Sequence, residues 1–467
     1  MNYSILVNSD NNIKNNYLEK VILVKTKDID NNEVEVEKET FNAYLKLKEY
    51  LLEKNIEIGI ASSYRSIEVQ KKIYNDFLIK YGEEYAKKYV AIPGYSEHHT
   101  GLAIDIVIKI DGVFTDDNDL LLKNRKRFEE IHKHLKDFGF ILRYPEEKEK
   151  ITGYSYEPWH FRYVGRFIAK IIYENNLTLE EYKKKYSGVL IVNKKKGYTS
   201  FDIVNKISRL FGIKKVGHTG TLDPLAEGVL VVCIGQATKI VELLTAEDKE
   251  YIAKVKLGLK TDTYDIEGHI LEKKDVPKNI DIKEILNTYK KTYLQEVPIY
   301  SAVKVNGKKL YEYARKNKKV ELPKKEVTIK EIELINQKEN EFTFKTLVTK
   351  GCYIRSLIND IGNDLDCGAI MTSLTRTKQG NIKIEDAYTI EDIEKRNYKI
   401  YKIEEVLNYP KIIVNSTIEE KIKHGQKLNN TWKIKDKVLF INEKKILLGI
   451  YEVNNDELKV WKNFIYF

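Results

Sequence analysis

The sequence predicts an α+β protein of two successive domains, residues 1–185 and 187–400, followed by a small β-rich tail at 409–467. Three observations lead there. A chain of 467 residues exceeds what one hydrophobic core usually holds. Helical periodicity alternates with short apolar strands throughout both parts. Charge is also unevenly divided: residues 1–190 sum to −1, and residues 191–467 carry +11 of a net +10. Only the second part therefore has a polyanion-binding bias, although a lysine-rich composition alone gives similar surfaces. Cys233, Cys352 and Cys367 show no CxxC spacing and read as free thiols of a reducing compartment. Val21-Ile22-Leu23-Val24 is too brief for a signal segment, and no run approaches the ~20 apolar residues of a spanning helix. A soluble cytoplasmic protein with no membrane segment is expected.

In the first part, Phe41, Tyr44, Leu45, Leu47 and Leu51 predict a helix over 39–55, and Ile56 to Ile60 a strand that delivers Ser62-Ser63-Tyr64-Arg65-Ser66. Gln70 falls on the next helix, and a second helix is expected from Glu83 to Val90. After the Pro93-Gly94 turn, Leu102 to Val107 reads as a strand. His98 and Asp105 lie seven residues apart across a glycine-containing turn, so a loop imidazole and a strand carboxylate can converge. With His160 they would offer two nitrogens and one oxygen to Zn²⁺ and leave a fourth position for water. Such a site lowers the water's pKa towards ~7 and polarises a carbonyl. Glu157, three residues before His160, can take the water's proton, and Arg65 can pair with a substrate carboxylate through its planar fork. His99 adjoins a ligand without being one. His132 and His134, two apart on a helix, face different ways. Glu97 and Tyr64 shape the site, and Trp159 packs.

The ordered blocks Ser62-Ser63-Tyr64-Arg65-Ser66, Ser96-Glu97-His98-His99-Thr100-Gly101-Leu102-Ala103-Ile104-Asp105, Gly139 to Pro145 and Glu157-Pro158-Trp159-His160 resemble the zinc D-alanyl-D-alanine carboxypeptidases. The resemblance implies the same roles for His98, Asp105, His160, Glu157 and Arg65, and a D-Ala-D-Ala-terminated peptide or the dipeptide as substrate. A D-Ala-D-Ala dipeptidase or a non-catalytic appendage stays open as an alternative.

In the second part, Gly188 to Lys194 is a strand, and Gly197-Tyr198-Thr199-Ser200 opens a helix with a hydroxyl cap. Gly217-His218-Thr219-Gly220-Thr221-Leu222-Asp223-Pro224-Leu225-Ala226-Glu227 holds one carboxylate in a Gly/Pro-rich turn, where it can face a ligand rather than a core. Gly228 to Gly235 is a buried strand, and Ala237-Thr238-Lys239 starts a helix. The Gly217 to Glu227 loop resembles the catalytic loop of the tRNA pseudouridine synthase B family. Lys249-Glu250-Tyr251, Thr261 to Asp265, Pro298 to Gly307, Tyr311 to Arg315 and Gly351 to Leu357 match the same family in order. Lys195 stands where that family usually has proline, so the turn lacks a φ constraint.

The resemblance implies a mixed-sheet catalytic domain that isomerises uridine in the T-loop of tRNA, at position 55, without cofactor. Asp223 would be nucleophile or base, Arg355 its salt-bridge partner, and Tyr251 the ring that stacks on the base and handles the C5 proton. His218 would occupy or support the space left by a flipped base. Lysines and arginines along 304–325 would contact phosphates. Strand signals at Lys411–Val414, Val438–Ile441, Ile446–Tyr451 and Leu458–Val460 suggest a small β-barrel resembling that family's RNA-binding tail. The protein thus reads as a bifunctional isomerase and hydrolase. The alternative is that its second part serves mainly as an RNA-binding or RNA-folding module.

Overall fold

The computed structural model describes residues 3–464 except 14, 85, 87–89 and 317. Two compact units emerge, Met1–Tyr186 with Lys206–Lys214, and Ser187–Asn205 with Lys215–Phe467. The helix expected over 83–90 falls largely on residues 85 and 87–89, outside the described residues.

In the first unit, helix α1 (Lys38–Leu52) is capped by Glu37, whose side chain accepts from Thr40 N, and it buries Tyr44, Leu47 and Leu51. Burial of each such side chain contributes roughly 1.5–3 kcal/mol. Leu45, part of the expected apolar stripe, is exposed. The helix stops short of residue 55 because Asn55 turns left-handed (φ 60°) and Ile56 N bonds back to Leu51 O. Ile56 is thereby spent on the helix end, and strand β1 begins later, at Ile58–Ser62. Helix α2 (Ile67–Tyr81) starts at the Ser66 cap. A 3₁₀ turn, Glu97–Thr100, leads through left-handed Gly101 (φ 69°) into β2 (Ala103–Ile110). Helix α3 (Arg125–Phe138), β3 (Phe140–Leu142) and β4 (His160–Tyr163) follow. The antiparallel sheet runs β1-β2-β4-β3. One layer of helices covers it through Tyr44, Leu47, Phe128, Ile131 and Leu135, which pack on Ile58, Ile106 and Phe161.

The second unit is organised on one large sheet. Its main strands are β5 (Gly188–Lys194), β6 (Glu227–Ile234), β7 (Lys249–Leu257), β8 (Thr292–Glu296), β9 (Lys324–Lys338), β10 (Glu341–Val348) and β11 (Ala369–Gln379), with the short strands Val216–His218 on β6 and Ile382–Lys383 on β11. Their order is β8-β9-β10-β7-β11-β6-β5. Every neighbouring pair is antiparallel except β6 and β11, which run parallel at Glu227↔Thr375 and Gly228↔Arg376. The expected helix start at Ala237 is a 3₁₀ turn, Gly235–Ile240, that runs into helix Val241–Ala246.

The tail forms a five-stranded sheet in the order Lys411–Val414, Lys437–Asn442, Leu447–Asn454, Glu457–Asn463, Leu428–Asn429. Sequence periodicity marks four of these strands. It misses the two-residue Leu428–Asn429 and the helix Ser416–Lys423, which are too short or too polar to register. Leu439, Ile441 and Ile450 of this sheet share one apolar cluster with Val189, Val229 and Val231 of the large sheet.

Candidate active sites

In the first unit the register of three strands assembles the site. Ser62 pairs with Asp105, and Asp105 pairs with His160. Directly opposed residues bring their side chains together on one face. His98 arrives from the 3₁₀ turn just before β2, fixed by its own ring. Its Nδ1 lies 2.7 Å from the Ser63 carbonyl, to which only an N–H can bond, so Nε2 keeps a lone pair, 3.2 Å from Asp105 Oδ2. His160 Nδ1 lies 2.9 Å from Asp105 Oδ1 and 3.6 Å from Glu157 Oε2. One ligand atom from each of His98, Asp105 and His160 thus falls within 4.8 Å of the others. Two imidazoles and a carboxylate that converge at this spacing are a donor set that fits a divalent cation such as zinc.

The surroundings set each group's protonation. Burial, with the charge of Arg65, pushes His98 down to about 4 and leaves it neutral, as a ligand must be. Burial would also lower His160, but the hydrogen bond and charge of Asp105 outweigh it and raise the ring to about 9. A cation between the two would take that proton's place. Burial pushes Glu157 up to about 7. Arg65 is braced by Ser62 Oγ (3.0 Å) and Gln70 Oε1 (3.2 Å) at the edge of a cavity of about 240 Å³ that all five residues line. His99 is structural: its Nδ1 meets the Arg65 carbonyl at 2.7 Å and its Nε2 accepts from Gly94 N. His132 bonds the Pro158 carbonyl and steadies the segment before His160, while His134 turns away to Tyr50. Glu97 does more than its motif position reveals. It is fully buried, ion-paired to Arg143 and Arg162 at 2.8 and 2.7 Å, with its other oxygen 3.7 Å from His160 Nε2.

In the second unit, the loop between Val216–His218 and β6 is tied to the start of helix α4 (Ser200–Phe211). Thr199 and Asp202 form the reciprocal cap, which frees the Ser200 hydroxyl to accept from Leu222 N (2.8 Å) and donate to Leu222 O (3.1 Å). The turn that lacks a proline at Lys195 is held in another way. Buried Lys194 donates to the carbonyls of Tyr198 (2.7 Å) and Lys195 (3.2 Å), and Gly197 N reaches Pro224 O (2.8 Å). Burial pushes the Lys194 ammonium down to about 8.

Asp223 emerges from this loop and meets Arg355, in the first turn of helix α5 (Ile354–Asp364), with Nε to Oδ2 at 2.8 Å. Arg355 also donates to the carbonyls of Thr263 (2.9 Å) and Tyr300 (3.1 Å). One guanidinium thereby ties together three segments far apart in sequence. Asp223 and Tyr251 line a cavity of about 230 Å³ with Lys249, Ser301, Tyr353 and Arg376. Burial raises the Tyr251 phenol, against the charge of Arg376, so it keeps its proton at neutral pH. His218 is not brought to this cavity. It sits at a strand end, opposite Val232, and its Nδ1 accepts from Gly220 N. Arg376 escapes a reading of the sequence, because Thr375-Arg376-Thr377 looks like an exposed strand. It is buried instead, donating to Val229 O (2.6 Å) and Gly220 O (3.1 Å) at the base of the loop.

Known proteins match both units. Residues 208–354 match the family described as TruB family pseudouridylate synthase (N terminal domain), and residues 355–410 the tRNA pseudouridylate synthase B C-terminal domain. The tRNA pseudouridine synthase B of Clostridium kluyveri is 39% identical over 288 residues, covering 60% of this chain and 99% of that protein. That of Oceanobacillus iheyensis is 44% identical over 290 residues, covering 58% and 95%. The chain belongs to the tRNA pseudouridine synthase B family. Residues 33–166 match the D-alanyl-D-alanine carboxypeptidase family. A solved structure, VanYB in complex with D-Alanine-D-Alanine, is 30% identical and covers 39% of this chain and 98% of that one, with a TM-score of 0.33. A pseudouridine synthase and a carboxypeptidase-like domain therefore share one polypeptide. Among the described residues, no helix is long and apolar enough to cross a membrane.

Proposed function

We propose that the second unit converts uridine 55 in the tRNA T-loop to pseudouridine with Asp223 as the reacting carboxylate, and that the first unit is a zinc peptidase acting on D-Ala-D-Ala ends. The observation that carries the first reading is the 2.8 Å pair with Arg355 that fixes Asp223 at a cavity it lines together with Tyr251. Isomerisation breaks the C1′–N1 bond and rejoins the base through C5. Arg355 engages Oδ2 and leaves Oδ1 to act, either as nucleophile or as base at the ribose. Tyr251, still protonated, offers a ring to stack on the base and a phenol to handle the C5 proton. The base must leave its stack to enter. His218 supports the loop by holding Gly220 N, and Lys304, Lys308, Lys309 and Arg315 supply phosphate contacts that position without reading sequence.

In the first unit, His98 Nε2, an Asp105 oxygen and His160 Nδ1 would hold zinc, which when bound acidifies water and polarises a carbonyl. Glu157, near neutrality and 3.6 Å from His160, takes the water's proton and returns it to the leaving amine. Arg65 receives the terminal carboxylate of the peptide.

Replacing Asp223 tests the assignment most directly. Asp223→Asn should form no pseudouridine in a T-arm RNA, read by mass shift after chemical tagging, while still binding that RNA. Turnover close to wild type would overturn the role of Asp223, and modification mapped to another uridine would overturn position 55.

A further inference from the structure

Arg376 lines the Asp223 cavity, and no step above uses it. The register of β11 decides where its side chain goes. Lys378 lies opposite Glu250, but a bulge passes over Thr377, so that Arg376 lies opposite Tyr251. In an unbroken ladder Thr377 would face Tyr251, and Arg376 would project from the opposite face of the sheet. Directed to this face, the buried side chain gathers three groups. Nε, which has a single N–H, donates to Val229 O at 2.6 Å, and Nη2 donates to Gly220 O at 3.1 Å. Those carbonyls stand on either side of Asp223 in sequence, so the loop is fastened at both ends. With Nε spent, the terminal nitrogens make the third contact, a hydrogen bond to the Tyr251 phenol. Burial raises that phenol, and the charge and hydrogen bond of Arg376 act the other way.

We propose that Arg376 positions Tyr251 for the isomerisation, holding the phenol oxygen so that its O–H is presented to the base in the cavity. This rests on the reading of Tyr251 above. A guanidinium has donors and no acceptor, so the phenol oxygen can only accept from it, and the phenol's own proton is turned elsewhere. A guanidinium also stays charged at any working pH, so the phenol oxygen has a fixed donor whether or not it carries its proton. Arg376 is a positioning residue: it acts through Tyr251 and exchanges no proton with the base.

The test places 3-fluorotyrosine at position 251 of the full-length protein and follows its ionisation by fluorine NMR. The fluorine brings the phenol's ionisation into an accessible pH range and gives one signal among the native tyrosines. Arg376→Gln removes the charge and should move the midpoint up by about one unit or more. Arg376→Lys keeps a charge where Nε lies and can still serve Val229 O, but it falls short of the phenol, so its midpoint should rise by less. With the native tyrosine restored, both variants should lower kcat on a T-arm RNA by roughly 10-fold or more and leave RNA affinity unchanged. Should Arg376→Gln fail to fold, Arg376→Lys carries both readouts. Unmoved midpoints in the folded variants would overturn the proposal, as would turnover equal to wild type. RNA affinity that falls in step with turnover would assign Arg376 to the loop alone and overturn it too. Turnover by Tyr251→Phe at the wild-type rate would instead overturn the reading of Tyr251 beneath it.

Discussion

Glu157 and His160 stand 3.6 Å apart, and their proposed tasks differ by a single function, proton transfer against ligation. His160→Ala should lose bound zinc and D-Ala-D-Ala hydrolysis together. Glu157→Gln should keep the zinc and lose only the hydrolysis, because its shape and place are preserved while its basicity is removed. Metal analysis beside D-alanine release on the full-length protein separates the two, and full hydrolysis by Glu157→Gln would remove the assignment. At this scale the sequence was legible wherever a function sits within a short motif. His98 and Asp105 share one turn and strand, and Glu157 precedes His160 by three residues. It was opaque where partners meet across the fold. Glu97 reaches Arg143 and Arg162, 46 and 65 positions away, and nothing local to any of the three announces a buried ion cluster. Arg376 was hidden for the same reason, since its neighbours alternate like a solvent-facing strand.

Among the elements, the parallel contact of β6 with β11 lies where the Gly217 to Glu227 loop joins the sheet. Gly228 has φ 97°, and a Cβ built there would lie 2.3 Å from the Arg376 carbonyl oxygen, a backbone atom that cannot swing aside. Gly228→Ala should therefore destabilise the second unit by about 3 kcal/mol, through both strain and separation of the two strands. Chemical denaturation followed through that unit checks this, and a loss below about 1 kcal/mol would mean that the strands part easily. Buried strands such as β5 and β6 were legible as continuous apolar runs. β9 was not: its fifteen residues bury only Val327, Ile329 and Ile332, so its composition reads as a charged surface stretch. Its length is imposed by pairing with β8 and β10 rather than by its own periodicity.

Over the whole molecule, the asymmetry of charge separates the two activities. With +11 on residues 191–467 and −1 on the rest, tRNA affinity of the full-length protein should fall by on the order of 10³ between 50 and 200 mM salt if six or more phosphates are contacted. Hydrolysis of a short peptide ending in D-Ala-D-Ala and lacking other charged groups should stay nearly level over the same range. A salt-independent tRNA dissociation constant would contradict the polyanion reading. The large sheet has one further consequence, which concerns the order of synthesis. Of the sheet's seven main strands β11 is the last to leave the ribosome, followed only by the two-residue strand Ile382–Lys383 that pairs with it, yet it lies in the middle, between β7 and β6. Until about residue 379 has emerged, the nascent sheet consists of two fragments, β5-β6 and β8-β9-β10-β7, whose inner edges both wait for the same strand. Those open edges are templates for pairing with other polypeptides. Between the emergence of β10 and that of β11, both inner edges stand unpaired within one chain.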